Sequence, residues 1–364
     1  MKKLLLLCTV LLTVSVPITV YDEEYYEDGP IVFSYCEALE LAREDLPAIQ
    51  DAESRIEELE EERDDLRDFF RQVQGFWGET ALDGLRRQMT EMDREKEHLS
   101  LNIQIVELQT ERALRNAISG MLNAAIDIEI AEASIEISTE HLRRVGIMRQ
   151  FGLASAGELR VAEQRLSQEQ ISLENLHLAK TNAQYNLNHL LGQPPYQWTY
   201  VEFERELPEI PEGLSRHIER LVPTAPTIRQ LQIDVARRQD DRARHRRECH
   251  FESRRNCEAY IALREAYDRA RLDRDIAIRL METALRTAYS NLEQLFNREA
   301  TALVNLDQAM ARLETAYTNL ELGRVTQFDV DSAYVDVFIA ELEIERILNE
   351  QWVLAFLLAH PVLL

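Results

Sequence analysis

The sequence is poor in the residues that interrupt helices. Its 364 residues include only 11 Gly and 10 Pro, while Ala, Leu, Ile, Glu, Gln and Arg dominate. This is the composition of a chain built from helix formers. It predicts a mostly helical protein.

Lysine is also scarce, and the 41 basic residues, nearly all Arg, are outnumbered by 65 acidic ones. Lysine occurs only at Lys2, Lys3, Lys96 and Lys180, and the formal net charge is −24. An acidic excess of this size argues against nucleic acid as the main partner and for a well-solvated surface.

Long apolar runs are confined to the N-terminus. There, "MKKLLLLCTVLLTVSVPITV" places Lys2 and Lys3 before a short apolar run, and the acidic "YDEEYYEDGP" follows. This order predicts a secretory signal peptide at 1–20 and an acidic N-terminal segment at 21–34, and therefore an exported protein. A membrane-spanning helix is the alternative, but Pro17 interrupts a run that is already short for a bilayer.

Cysteine is rare, with four in the chain. Cys249 and Cys257 bound the segment "CHFESRRNC", and export favours a disulfide between them. Free thiols, or a metal site that also uses His250, are the alternatives, although the metal site lacks a clear fourth ligand. We expect no cofactor.

Apolar residues at heptad spacing predict two long coiled-coil helices, at 83–150 and 258–320. The first stripe comprises Leu114, Met121, Ile128, Ile135 and Leu142. The second comprises Ile278, Leu285 and Leu292, then slips in phase to Leu303, Met310 and Tyr317. Each helix would be roughly 100 Å long, which is a rod and not a globular core.

Shorter helical stretches flank the long ones and predict an internal repeat. They span about 35–73, 156–191, 214–248 and 327–359, so two short helices line one long helix in each half. The segments "LPAIQDAESRI" and "APTIRQLQIDV" open the two halves alike. We therefore expect a first repeat at 35–191, a linker at 192–213 and a second repeat at 214–364. The linker holds four of the ten prolines and one short candidate strand, "YQWTYVEF".

Each half also carries the phrase G-x-x-[ST]-x-x-[DE]-[LV]-x-x-A, as "GLASAGELRVA" and "GRVTQFDVDSA". In the first copy Gly152 ends a helix in the left-handed conformation, and Ser155 and Glu158 form the capping box of the next helix. The second copy supplies the corresponding Gly323, Thr326 and Asp329. Each phrase therefore predicts a tight helical hairpin.

Together these features resemble the TolC-type outer-membrane efflux protein family. The resemblance rests on the doubled tip phrase, the similar openings at Pro47 and Pro226, "LNHLLGQPP" at the end of the first half, and the signal peptide. It implies two repeats per protomer and three protomers in a hollow helical cylinder. It also implies tips that meet a periplasmic adaptor, itself linked to an ABC-type or proton-driven inner-membrane pump.

By the same resemblance, the tips would form the adaptor-facing end. The residues concerned are Gly152, Leu153, Ala154, Ser155, Gly323, Arg324, Val325 and Thr326. In the family, polar and charged residues near the tips hold the closed state, and Arg149, Asp329 and Asp331 are placed for such a gate.

The sequence departs from the family in one respect. Family members carry two long strands in each repeat between the first short helix and the long one. Here the corresponding segments, Gln72 to Gly84 and Cys249 to Cys257, are too short for a membrane strand pair. The expected fold is therefore all-α, a trimeric α-helical barrel of coiled-coil hairpins without a β-barrel.

Two functions from different classes follow from these patterns, and neither is an enzyme. The histidines are scattered, and no Gly-rich phosphate loop is present. The chain is either a passive exit duct or a structural coiled-coil spacer of the envelope, and the doubled tip favours the duct. The arginine-rich stretch from Arg237 to Arg255 either contacts anionic envelope components or is a solvated helix end.

Overall fold

The computed structural model describes residues 31–44, 46–195, 197–205, 208–211, 213–248 and 258–364. The predicted signal peptide at 1–20 and most of the acidic segment lie outside the described residues. So do Cys249, His250 and Cys257, and with them the predicted disulfide.

Within the described residues the chain forms eight α-helices and two short strands. In chain order they are β1 (Ile31–Ser34), α1 (Tyr35–Glu44), α2 (Pro47–Val73), α3 (Glu79–Gln150), α4 (Ala156–Leu190), β2 (Thr199–Glu202), α5 (Leu214–Leu221), α6 (Pro226–Glu248), α7 (Glu258–Glu321) and α8 (Gln327–Ala359). The two long predicted helices are confirmed as α3 and α7. None of the helices in these ranges has the length and apolar character needed to cross a bilayer.

The helices pack as two hairpins of similar design. The long helix α3 packs against α2 and α4, and α7 packs in the same way against α6 and α8. Helices α6 and α8 also contact α3, so the two halves lie side by side. A five-residue turn at 74–78 joins α2 directly to α3.

Proline sets the start of the lining helix in both halves. Pro47 and Pro226 are the first residues of α2 and α6. Proline suits this position because its fixed φ matches the helix and its missing N–H would have had no intrahelical partner. The similar openings of the two halves are therefore a shared helix-start signal.

The core consists of two buried clusters, each at the middle of a long helix. The first joins α1, α3 and α4 through Ala38, Ala42, Leu114, Ile118, Met121, Leu187 and Leu191, with Val201 of β2 and Trp352 of α8. The second joins α5, α6 and α7 through Ile218, Val222, Ala225, Ile228, Leu285, Ala288, Tyr289 and Leu292, with Leu358 of α8. Since α8 contributes to both clusters, it ties the two halves together.

A two-stranded parallel sheet closes over the first cluster. Strand β2 lies within the strand predicted in the linker, and β1 was not predicted. The two strands run parallel, with Ile31 opposite Thr199 and Ser34 opposite Glu202. The sheet therefore brings the start of the described chain to the linker.

Asn188, in the last turn of α4, holds the linker in place. Its Nδ2 donates hydrogen bonds to the carbonyl oxygens of Pro194 (3.0 Å) and Gln197 (2.6 Å), and its Oδ1 accepts one from Nε2 of Gln184 at 2.9 Å. Asn188 is fully buried. The side chain thus replaces the hydrogen bonds that a chain leaving a helix would otherwise make with water.

The second half of the α7 stripe faces solvent, whereas its heptad spacing predicts that it is buried. Leu303, Met310 and Tyr317 of α7 are exposed, whereas Ala302 and Ala309 are buried. The small alanines allow α7 and α8 to approach closely, and the larger side chains then lie on the outer face.

We expect Asn188→Ala to destabilise the protein by about 1 to 3 kcal/mol, because buried hydrogen-bonding groups lose their partner. The matched control is Asn186→Ala, which removes an exposed amide from the same helix turn. Urea unfolding followed by circular dichroism measures both. Equal midpoints for the two variants would contradict the role given to Asn188.

Candidate docking site at the hairpin tips

The first hairpin tip, at 150–155, reverses the chain between α3 and α4 by local hydrogen bonds alone. The N–H of Leu153 donates to the carbonyl of Met148 at 2.8 Å, and that of Gly152 donates to Arg149 at 3.0 Å. Gly152 has φ +74°, the left-handed conformation that glycine adopts without steric cost. These are the two bonds of a Schellman motif, so the predicted helix end is confirmed.

The second tip, at 321–326, repeats this geometry between α7 and α8. The N–H of Arg324 donates to Asn319 at 2.8 Å, and that of Gly323 donates to Leu320 at 2.9 Å. Gly323 has φ +65°. The repeated sequence phrase is therefore a repeated backbone structure.

Carboxylates cap the helix that leaves each tip. Glu158 accepts from the N–H of Ser155 at 2.6 Å and donates its own N–H to the Ser155 hydroxyl at 3.1 Å. At the second tip, both the N–H (2.8 Å) and the hydroxyl (2.7 Å) of Thr326 donate to Asp329.

These hydrogen bonds favour the ionised carboxylates and lower the pKa of Glu158 and of Asp329, the latter with help from the nearby Arg144 charge. Because both pKa values are lowered in the folded state, the caps stabilise the tips at neutral pH. That contribution is lost as pH falls through the folded-state pKa values.

The two tips lie at the same end of the molecule because α8 begins against the last turns of α3. The guanidinium of Arg144 lies over the ring of Phe328, 4.4 Å from its centroid. The same group is 3.9 Å from the carboxylate of Asp329. The ring of His141 completes the contact, with its centroid 6.4 Å from that of Phe328. We call these four residues the latch.

Large apolar side chains are exposed at both tips. Phe151 is 75% exposed, Leu153 is 72% exposed, and Leu322 is 59% exposed. None of these side chains takes part in the hydrogen bonds that close the turns. Exposed apolar groups on a hydrogen-bonded turn, beside ionised caps, suit the docking of a partner protein.

The structure places the predicted tip residues in the turns but gives them different surroundings. Gly152, Leu153, Ser155, Gly323, Arg324 and Thr326 are exposed, while Ala154 and Val325 are half-buried. Sequence reasoning missed Phe151 and Leu322. Both stand immediately before the glycine of the repeated phrase, so a large apolar residue at that position in both copies was a usable signal.

The predicted gate residues are near the tips but are not joined to one another by the hydrogen bonds and ion pairs described here. Asp329 pairs with Arg144, as described above. Asp331 accepts from Nε2 of Gln327 at 2.7 Å on its own helix, and Arg149 is exposed in the last turn of α3. Within the described ranges, no three His, Cys, Asp or Glu side chains converge on a place for a metal ion.

The architecture matches that of solved outer-membrane channels over most of the chain. The outer-membrane channel OprN is 16% identical, with 90% of this chain and 90% of OprN covered and a TM-score of 0.63. The outer membrane protein VceC from Vibrio cholerae is 11% identical, with 90% and 95% covered and a TM-score of 0.63. The outer membrane channel CmeC of Campylobacter jejuni is 12% identical, with 89% and 86% covered and a TM-score of 0.62.

No protein-family model and no curated protein sequence matches the chain. At these identities the structural matches establish a shared fold. The chain has the fold of the TolC-type outer-membrane channels, and the resemblance expected from its sequence is confirmed at the level of the fold.

Proposed function

We propose that the chain is the exit duct of a tripartite efflux or secretion system, a passive helical conduit exported to the cell envelope. Its partners would be a membrane-fusion adaptor, which the tips bind, and an ABC-type or proton-driven pump. The observation that carries the proposal is the pair of hairpin tips at one end, each closed by local hydrogen bonds and each presenting exposed apolar side chains. The shared fold with outer-membrane channels supports it.

A structural spacer is the alternative function. A spacer needs long helices but has no use for two matched turns that expose Phe151, Leu153 and Leu322. Exposing such side chains costs about 25 cal/mol for each Å² of apolar surface left in water, and the turn geometry does not require it. The tips therefore favour the duct.

We infer that the duct is a homotrimer, because two helices carry exposed apolar faces along their length. On α4 these are Val161, Ile171 and Leu178, and on α7 they are Leu303, Met310 and Tyr317. Faces of this kind on separate helices suit a closed ring, in which each protomer covers its neighbour. Three protomers would present six tips to the adaptor.

The latch is the proposed gate at the tip end, in place of a direct contact among Arg149, Asp329 and Asp331. It joins α3 of the first hairpin to α8 of the second through Arg144. Its ion pair is long at 3.9 Å, and both partners are partly exposed. Such a contact is weak enough to open when a partner binds the tips.

Charge placed on the exposed tip side chains should abolish adaptor binding. We expect Leu153→Asp with Leu322→Asp to weaken binding to the organism's own adaptor by at least about 100-fold, since charge would enter the apolar contact at every tip. Leu153→Met with Leu322→Met is the control and should bind normally. Surface plasmon resonance measures both. Unchanged binding by the aspartate variant, with helicity intact, would favour the spacer.

The oligomeric state tests the cylinder. We expect residues 21–364 to sediment as a trimer, and Leu303→Glu with Met310→Glu to shift it toward monomer by placing charge in the apolar face. Thr301→Glu with Gln308→Glu adds the same charges at the same spacing on another face of α7 and should leave the trimer intact. A compact wild-type monomer at micromolar concentration would rule the cylinder out.

Removal of Arg144 tests the latch. We expect Arg144→Ala to speed amide hydrogen exchange in the first turns of α8, around 327–335, because Phe328 and Asp329 lose their contact with α3. Arg143→Ala is the control, since Arg143 pairs with Glu140 on its own helix. Equal exchange in the two variants would show that α8 is held without the latch.

A further inference from the structure

The turn between α2 and α3 exposes aromatic side chains at the opposite end of the molecule from the tips. We call residues 67–87, which contain this turn, the aromatic turn. Phe76 is 89% exposed, and Trp77 and Phe69 beside it are more than a third exposed. The ring centroids of Phe69 and Trp77 are 5.4 Å apart in an edge-on contact.

The backbone presents these rings in a defined position. The N–H groups of Phe76 and Trp77 both donate to the carbonyl of Val73, at 2.9 and 3.0 Å. Gly75 and Gly78 flank the two aromatic residues, and a Cβ added at either glycine would meet no atom within 4 Å outside its chain neighbours. Phe76 therefore projects into solvent from a narrow, convex turn, and no neighbouring residue of the described chain covers the sides of its ring.

The charge of the aromatic turn differs from that of the chain as a whole. It contains Arg67, Arg71, Arg86 and Arg87 against Asp68, Glu79 and Asp83, while the whole chain has a formal net charge of −24. The guanidinium of Arg86 lies over the ring of Phe70, 5.4 Å from its centroid. Arg67, Arg71 and Arg86 also pair with carboxylates three residues away on their own helices, at exposed positions where such pairs are weak. The turn is therefore close to neutral, and an anionic surface would be repelled less there than by the acidic remainder of the chain.

The distance along α3 separates this end from the docking site. The helix runs without interruption for 72 residues from the aromatic turn to the first tip. At 1.5 Å per residue the two ends are about 108 Å apart. A contact made by the aromatic turn is therefore independent of adaptor docking.

We propose that the aromatic turn binds the surface of a phospholipid bilayer, with Phe76 and Trp77 inserted at the level of the headgroups. Tryptophan and phenylalanine favour this interface, where the apolar ring leaves water. The arginines reach the lipid phosphates while their aliphatic stems stay beside the rings. A convex turn fits a fluid surface, which closes around it, and does not need the complementary pocket that a protein partner would have to supply.

Vesicle flotation tests the proposal with the purified protein of residues 21–364. We expect wild type to float with vesicles of mixed phosphatidylcholine and phosphatidylglycerol, and Phe76→Ser with Trp77→Ser to bind at least about ten-fold more weakly. The matched control is Phe151→Ser with Leu153→Ser, which removes two exposed apolar side chains from the other end and should float like wild type.

Fluorescence identifies the residue that enters the bilayer. Trp77→Phe keeps an aromatic ring, so we expect it to float like wild type but to lose the vesicle-dependent blue shift of tryptophan emission. Absence of wild-type flotation, or equal flotation of the Phe76→Ser, Trp77→Ser variant, would overturn the proposal. A change in oligomeric state in that variant would overturn it as well, since the turn would then contact a second copy of the chain.

Discussion

Helix α3, with 72 residues, cannot bury its own apolar side chains. The rest of the structure depends on how neighbouring helices cover them. Its buried residues, among them Leu101, Leu114, Ile126 and Val145, are spread along most of its length. Helices α1, α2, α4, α6 and α8 each cover part of it. Since every neighbour runs along the rod, the chain can reverse only at the ends. The connections available for recognition are therefore concentrated there, apart from the linker at the middle.

Stability and recognition occupy different parts of this rod. The middle holds the two buried clusters and a stack in which the guanidinium of Arg115 lies 4.6 to 5.1 Å from the ring centroids of Tyr35, Trp352 and Phe356. The tips need no such core, because glycine, cap and carboxylate close each turn with local hydrogen bonds. The side chains of Phe151 and Leu322 take no part in these bonds and are exposed, which is why the proposed docking site lies there.

Polar contacts set the register of α8 against both long helices. Asn349 of α8 donates to Asn123 of α3 at 2.9 Å, and Gln351 donates to Glu299 of α7 at 2.5 Å. Asn349 and Gln351 are fully buried. Apolar helix faces tolerate sliding, whereas a shift here would leave the buried NH2 groups of Asn349 and Gln351 without partners, at a cost of about 1 to 3 kcal/mol each. These contacts therefore fix the axial position of α8 relative to α3 and α7.

The helices and the turns could be predicted from the sequence because their signals act over a few residues: the capping pair Ser155 and Glu158, the left-handed Gly152, and proline at the start of α2. Which helix faces are covered depends on long-range packing and was visible only in the structure. Heptad spacing places Leu303 in the apolar stripe, but it does not predict that α8 packs on Ala302 instead. No sequence signal near Ile31 predicts its pairing with Thr199. The partner of Asp329 is likewise Arg144, which is remote in sequence. Local hydrogen bonds can be predicted from residues that are adjacent in sequence, whereas packing partners depend on the path of the whole chain.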